Sequence, residues 1–191
     1  MKKILIPIFS LFLIGCNDDT LPKPKAFLRL DYPIPEYKRV SIPVPFSFDK
    51  NTLAKPISKI ENTNNTSISI DVEYPKLKGT IYLTYKKVTT SNLRDLLRDA
   101  QNLTQKHTQK ADEINSTVFE NKDKDVYGMF YEVGGNAASQ SQFYATDSTN
   151  HFLTGSLYFY AKPNYDSIYP AAIYLRQDIR RVMESLEWKE L

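Results

Sequence analysis

The chain has 191 residues and a net charge of +3, and two of its cations, Lys2 and Lys3, stand ahead of an apolar run at the N-terminus. The remainder lacks the basic excess of a nucleic-acid-binding surface, so nucleic acid is excluded as an expected partner. Hydrophobic residues at 41% and aromatics at 13%, with 13 tyrosines, suffice for a packed core and exclude a disordered stalk.

Ile4 to Ile14 is apolar over about eleven residues, against roughly 20 needed to cross a bilayer as a helix. Behind two lysines this reads as a cleaved export signal. The run ends Leu13-Ile14-Gly15-Cys16, which resembles a lipobox, with cleavage expected between Gly15 and Cys16. Cys16 is the sole cysteine. It therefore has no intramolecular disulfide partner and is expected to carry a diacylglyceryl group and an N-acyl chain, such as palmitate, that anchor the protein.

Residues 1–15 are thus read as the signal, 16–26 as a lipidated tether, 27–56 as an extended arm and 57–191 as a single domain. Prolines gather ahead of the domain at Pro22, Pro24, Pro33, Pro35, Pro43, Pro45 and Pro56, and each favours extended backbone at and before itself. The arm also carries Phe27, Leu28, Leu30, Tyr32, Ile34, Tyr37 and Val40. That is too apolar for a simple spacer, and the arm is expected to lie on its own domain or on a partner.

Period-2 alternation then predicts strands at 67–73 (Ile68, Ile70 and Val72 inward) and 80–86 (Ile81, Leu83 and Tyr85 inward). A helix is expected from about Asn92 to Ala111, with a stripe of Leu93, Leu96, Leu97, Ala100, Leu103 and His107. Strands near 113–120, 125–134, 138–147 and 151–161 follow. The turns between them are Asn121 to Lys124, Gly134-Gly135-Asn136 and Asp147 to Asn150. A last helix is placed from about Pro170, with Ala172, Leu175, Ile179, Val182, Met183 and Leu186 buried. Arg176, Gln177, Asp178, Arg180, Arg181 and Glu184 are expected on its wet side. The order ββ-α-ββββ-α, with short turns, predicts an α+β fold: a mainly antiparallel sheet of about six strands covered by two long helices. That element order is similar to the Mog1/PsbP-like sandwich.

Chemistry is sparse. His107 and His151 lie in no metal-ligand spacing and Cys16 is committed to lipid, so neither a metal nor another cofactor is expected. Asp147, Ser148 and His151 contain triad residue types within one turn, but no nucleophile elbow surrounds Ser148. Gly134-Gly135-Asn136 lacks the lysine and helix of a phosphate loop. The chain is read as a non-enzyme.

After Cys16 the sequence runs Pro22-Lys23-Pro24-Lys25-Ala26-Phe27-Leu28-Arg29-Leu30-Asp31-Tyr32-Pro33, then Tyr37. This stretch resembles the gliding motility lipoprotein GldD family. The likeness continues in Asp147-Ser148-Thr149-Asn150-His151-Phe152-Leu153, Gly155-Ser156-Leu157-Tyr158-Phe159, and the helix of Leu175-Arg176-Gln177-Asp178-Ile179 and Met183-Glu184-Ser185-Leu186. Ala26 stands where the family pattern leads one to expect Gly, which bears on the backbone there. The resemblance implies a component of the gliding and type IX secretion machinery of Bacteroidetes, with other envelope proteins of that machinery as partners and no enzymatic activity to transfer. The periplasmic face is expected, without a choice of inner or outer membrane. Phe27, Tyr32 and Tyr37 of the arm, and Trp188, are the candidate partner contacts. The alternative is a lipoprotein that binds a small glycan or lipid through Tyr127, Tyr131, Tyr144, Tyr158 and Tyr160.

Overall fold

Ile68, Ile70, Val72 and Tyr74 are buried and the residues between them half-exposed, as alternation along one strand requires. The same pattern sets Ile81, Leu83 and Tyr85 inward on the next strand. The computed structural model describes residues 30–63, 67–106, 110–160 and 165–190. Its elements are β1 (Tyr37–Arg39), β2 (Phe46–Ser47), β3 (Asp49–Asn51), β4 (Ile60–Thr63), β5 (Ser67–Tyr74), β6 (Gly79–Lys87), α1 (Leu93–Gln105), β7 (Ala111–Asn121), β8 (Val126–Gly135), β9 (Ser139–Thr146), β10 (His151–Phe159), α2 (Tyr165–Glu184) and β11 (Glu187–Trp188).

Seven strands form one antiparallel sheet in the order β4-β5-β6-β10-β9-β8-β7. A three-strand meander, β4-β5-β6, and a four-strand meander, β7-β8-β9-β10, meet where β10 pairs with β6. The chain must therefore travel from the middle of the sheet to its far edge between β6 and β7, and α1 makes that crossing over one face. Adjacent residues on β10 show the division. Phe152 packs under α1 with Leu96 and Ala100, while Leu153 joins the main core with Leu175 and Ile179 of α2. The fold is thus α+β, one mostly antiparallel sheet with a helix on each face.

Gly155 lies directly opposite Phe143, whose ring fills the space where a Cβ on residue 155 would sit, 2.1 Å away. Gly135 closes β8 at φ +85°, a conformation that costs glycine little, beside the backbone of Asp112.

Four expectations need correction. The sheet has a seventh strand, β4, whose residues are all exposed and so show no alternation. The helix α2 begins at Tyr165 and not near Pro170, which lies inside it. Asn136 in the β8–β9 turn accepts the N–H of Tyr165 at 3.0 Å, an external cap that starts the helix early. Tyr165 and Tyr169 also pack one turn apart, with ring centroids at 5.3 Å. The first helix ends at Gln105, and Ala111 belongs to β7; His107 lies outside the described residues. Finally, Asp178 is not on the wet side of α2 but is 1% exposed.

Candidate functional site

The arm supplies much of the core beneath α2. Val40, Val44, Phe46, Phe48 and Ala54 are buried in the same cluster as Leu83, Leu157 and Leu175. Within the arm β1 pairs with β3, and the pairing of β2 with the C-terminal β11 ties the arm to the domain. The Phe46 ring stacks between Phe48, at 6.0 Å, and Tyr85, at 5.8 Å.

Asp178 is the polar centre of this junction. The Tyr37 hydroxyl donates to its Oδ1 at 2.7 Å, and Asn51 Nδ2 donates to both carboxylate oxygens at 3.1 and 2.9 Å. Burial pushes the Asp178 carboxyl above its ordinary value, and hydrogen bonds from Tyr37, Asn51 and Tyr74 pull the other way. Burial and the Asp178 charge both push the Tyr37 hydroxyl up. At the edge of the junction Arg39 contacts Asp49, Glu187 and the Ser185 carbonyl, tying arm to C-terminus.

Tyr32 and Tyr37 are thus turned toward the domain; the Tyr32 ring lies 5.0 Å from that of Tyr174. What the arm shows outward is Leu30, 46% exposed, and Ile34, 89% exposed between Pro33 and Pro35. Gly15, Cys16 and Phe27 lie outside the described residues. Chemical type alone pointed to the aromatic rings, whereas exposure selects the aliphatic pair; only the flanking prolines of Ile34 marked it in the sequence.

Trp188 stands at the other end of the arm's contacts. Its ring stacks on His151 at 5.0 Å and 7°, and its Nε1 donates to the Asp125 carbonyl at 3.0 Å. A polar cleft of about 500 Å³ opens there, lined by Asp123, Asp125, Asp147, His151, Trp188 and Lys189 among others. The Asp147 Oδ1 accepts the N–H groups of Thr149, Asn150 and His151, all within 2.9 Å. Burial opposes its charge, yet those bonds hold the carboxyl below its ordinary value. The His151 Nδ1 faces the Tyr85 hydroxyl at 3.0 Å rather than Ser148. The three triad residue types therefore build a turn and do not form a relay. No cluster of three or more metal-ligating groups occurs among the described residues.

Burial pushes the His151 imidazole below its ordinary 6.5, against the raising effect of Asp147. The unfolded chain then takes up this proton first, so stability falls as pH drops below 6.5. His151→Gln is expected to flatten that slope in urea unfolding followed at pH 7.5, 6.5 and 5.5; an unchanged slope would remove His151 as its source.

The remaining tyrosines do not gather round one cleft. Tyr144 stacks on Phe152 at 5.8 Å in the cluster under α1, and Tyr131 is 8% exposed. Tyr158 packs edge-on to Tyr82 on the open part of that face. The Tyr160 and Tyr82 hydroxyls share a 2.6 Å hydrogen bond, which pushes Tyr82 up to about 12.

The fold is a mostly antiparallel α+β domain with the N-terminal arm built into its core. The chain belongs to the gliding motility lipoprotein GldD family, whose model matches residues 17–188. It is accordingly a gliding motility lipoprotein of the cell envelope, held to a membrane by lipid. No match is found among curated proteins or among solved structures.

Proposed function

We propose that this lipoprotein is a non-catalytic assembly component of the gliding and type IX secretion apparatus, lipidated at Cys16 and facing the periplasm. The observation that carries the reading is Ile34, an aliphatic side chain left 89% exposed on an arm that buries Val40, Val44, Phe46 and Phe48 in the domain core. Pro33 and Pro35 stiffen the backbone on both sides, so a partner groove meets a preformed extended ligand and little entropy is lost on docking. Leu30 lies fourteen positions beyond Cys16, so it stands within about 50 Å of the bilayer. Other envelope proteins anchored in that bilayer are within reach of the contact surface.

The test is a crosslinked pull-down of the tagged, lipidated protein from its own membranes, run beside Ile34→Asp. The wild type is expected to recover gliding and secretion proteins, and the variant to lose them by about tenfold or more if Ile34 is a hot spot. Equal recovery by both would overturn the arm as the contact. Recovery of the protein alone, after verified crosslinking, would favour the binding of a small glycan or lipid instead.

A further inference from the structure

The seven-stranded sheet ends differently on its two sides. The strand β4 is four residues long, and Glu61 on it is ion-paired with Lys59 at 2.9 Å. Shortness and charge are devices that keep a sheet edge from pairing with another chain. On the far side β7 is eleven residues long and contains neither proline nor a basic residue. Its single irregularity is confined to Ala111–Glu113, and from Ile114 to Asn121 it runs in unbroken register with β8. Among the described residues no strand covers its outer edge. Val118 in that stretch is 73% exposed. From Ile114 to Asn121 its one charge is Glu120, and a long, regular stretch of edge with so little charge and an exposed apolar side chain is a template for another strand.

We propose that β7 pairs with β7 of a second copy, antiparallel about a two-fold axis through Thr117, to join two sheets into one. Charges that flank the regular stretch favour this register. With Thr117 opposite itself, Asp112 in the bulge of each copy comes toward Lys122 at the start of the other's turn, so the symmetry brings the two charges together twice. Val118 lies opposite Ser116, and the two Val118 side chains become diagonal neighbours about 7–8 Å apart, each shielding the other from water. An axis through Ser116 instead brings Asp112 toward Glu120, like charge on like, which is destabilising. Lys122 is ion-paired with Glu120 at 3.5 Å, with its side chain 77% exposed. An exposed pair of that kind contributes little and leaves the lysine free to reach across. Anchorage of both copies in one bilayer raises their local concentration, so a modest interface suffices.

The test is cysteine crosslinking of the full lipidated protein in its own membranes, where Cys16 carries lipid and an introduced thiol is the free one. Thr117→Cys places two thiols opposite each other across the axis, and Glu61→Cys on the guarded edge is the control. Oxidation or a short bis-maleimide is expected to give about tenfold more homodimer from Thr117→Cys than from Glu61→Cys. Val118 is exposed, so Val118→Lys leaves the fold intact, and added to Thr117→Cys it is expected to abolish the excess. Equal yields from the two edges would overturn the proposal. So would an adduct whose mass identifies a different protein, which would assign the edge to a partner's strand.

Discussion

Phe48→Ala is expected to lower the unfolding free energy by about 4 kcal/mol, the upper range for truncating a large core side chain. Phe48 is fully buried in the main cluster although it belongs to a segment whose composition reads as an arm. Its neighbours Phe46 and Val44 are buried beside it, and the backbone is held by the Val40 N–H donating to the Phe48 carbonyl at 2.8 Å. Small domains are stable by roughly 5–15 kcal/mol, so this one change takes a large share of the total. Ile34→Asp in the same arm is expected to cost under about 0.5 kcal/mol, because its side chain has nothing to lose inside the domain. Urea unfolding of the chain beginning at Asn17 separates the two. Equal, small effects would mean that the arm rests on the domain without completing it.

Asp178→Ala is expected to cost about 3 kcal/mol, with Tyr37→Phe costing about 1 kcal/mol in the same assay. Removal of the carboxylate leaves the Nδ2 of Asn51, which is 2% exposed, with the Tyr174 hydroxyl at 3.2 Å as its remaining acceptor, and takes the acceptor from the hydroxyls of Tyr37 and Tyr74. Tyr37→Phe removes one donor and leaves Asn51 bonded to Asp178. The sign of the pH dependence follows from the raised carboxyl. Between 3.8 and its folded value the native state binds more protons than the unfolded chain. The contribution of Asp178 to stability therefore declines as pH rises through that window. Asp178→Asn removes this slope while keeping the side-chain volume. An Asp178→Ala chain as stable as the parent would mean that the junction of arm and helix is held by packing alone.

The sequence periods made most of the sheet readable. Ile68, Ile70 and Val72, then Ile81, Leu83 and Tyr85, are each followed by a half-exposed or exposed residue, and the turns at Asn121 to Lys124 and Asp147 to Asn150 fall where strands end. Three features left no such trace. The residues of β4 are all exposed, so nothing in their order marks a strand. The pairings of β1 with β3 and β2 with β11 depend on which distant segments meet, and Phe46 and Trp188 are 142 positions apart in a register only the fold creates. Asp178 sits at a helical spacing that also suits water; it is buried because Tyr37, Asn51 and Tyr74 converge on it from three other segments. The same holds at the surface, where Tyr32 and Tyr37 read as contact residues by type and the fold turns their polar or ring atoms inward.

The central claim is that an arm fixed to the domain by its buried side presents an apolar contact near the membrane to the gliding apparatus. Chromosomal replacement of the gene by its Ile34→Asp version, with gliding, secretion and protein level scored together, tests it most directly. The expected result is protein at wild-type level in cells that no longer spread and that secrete poorly. Normal spreading and secretion by that strain would contradict it.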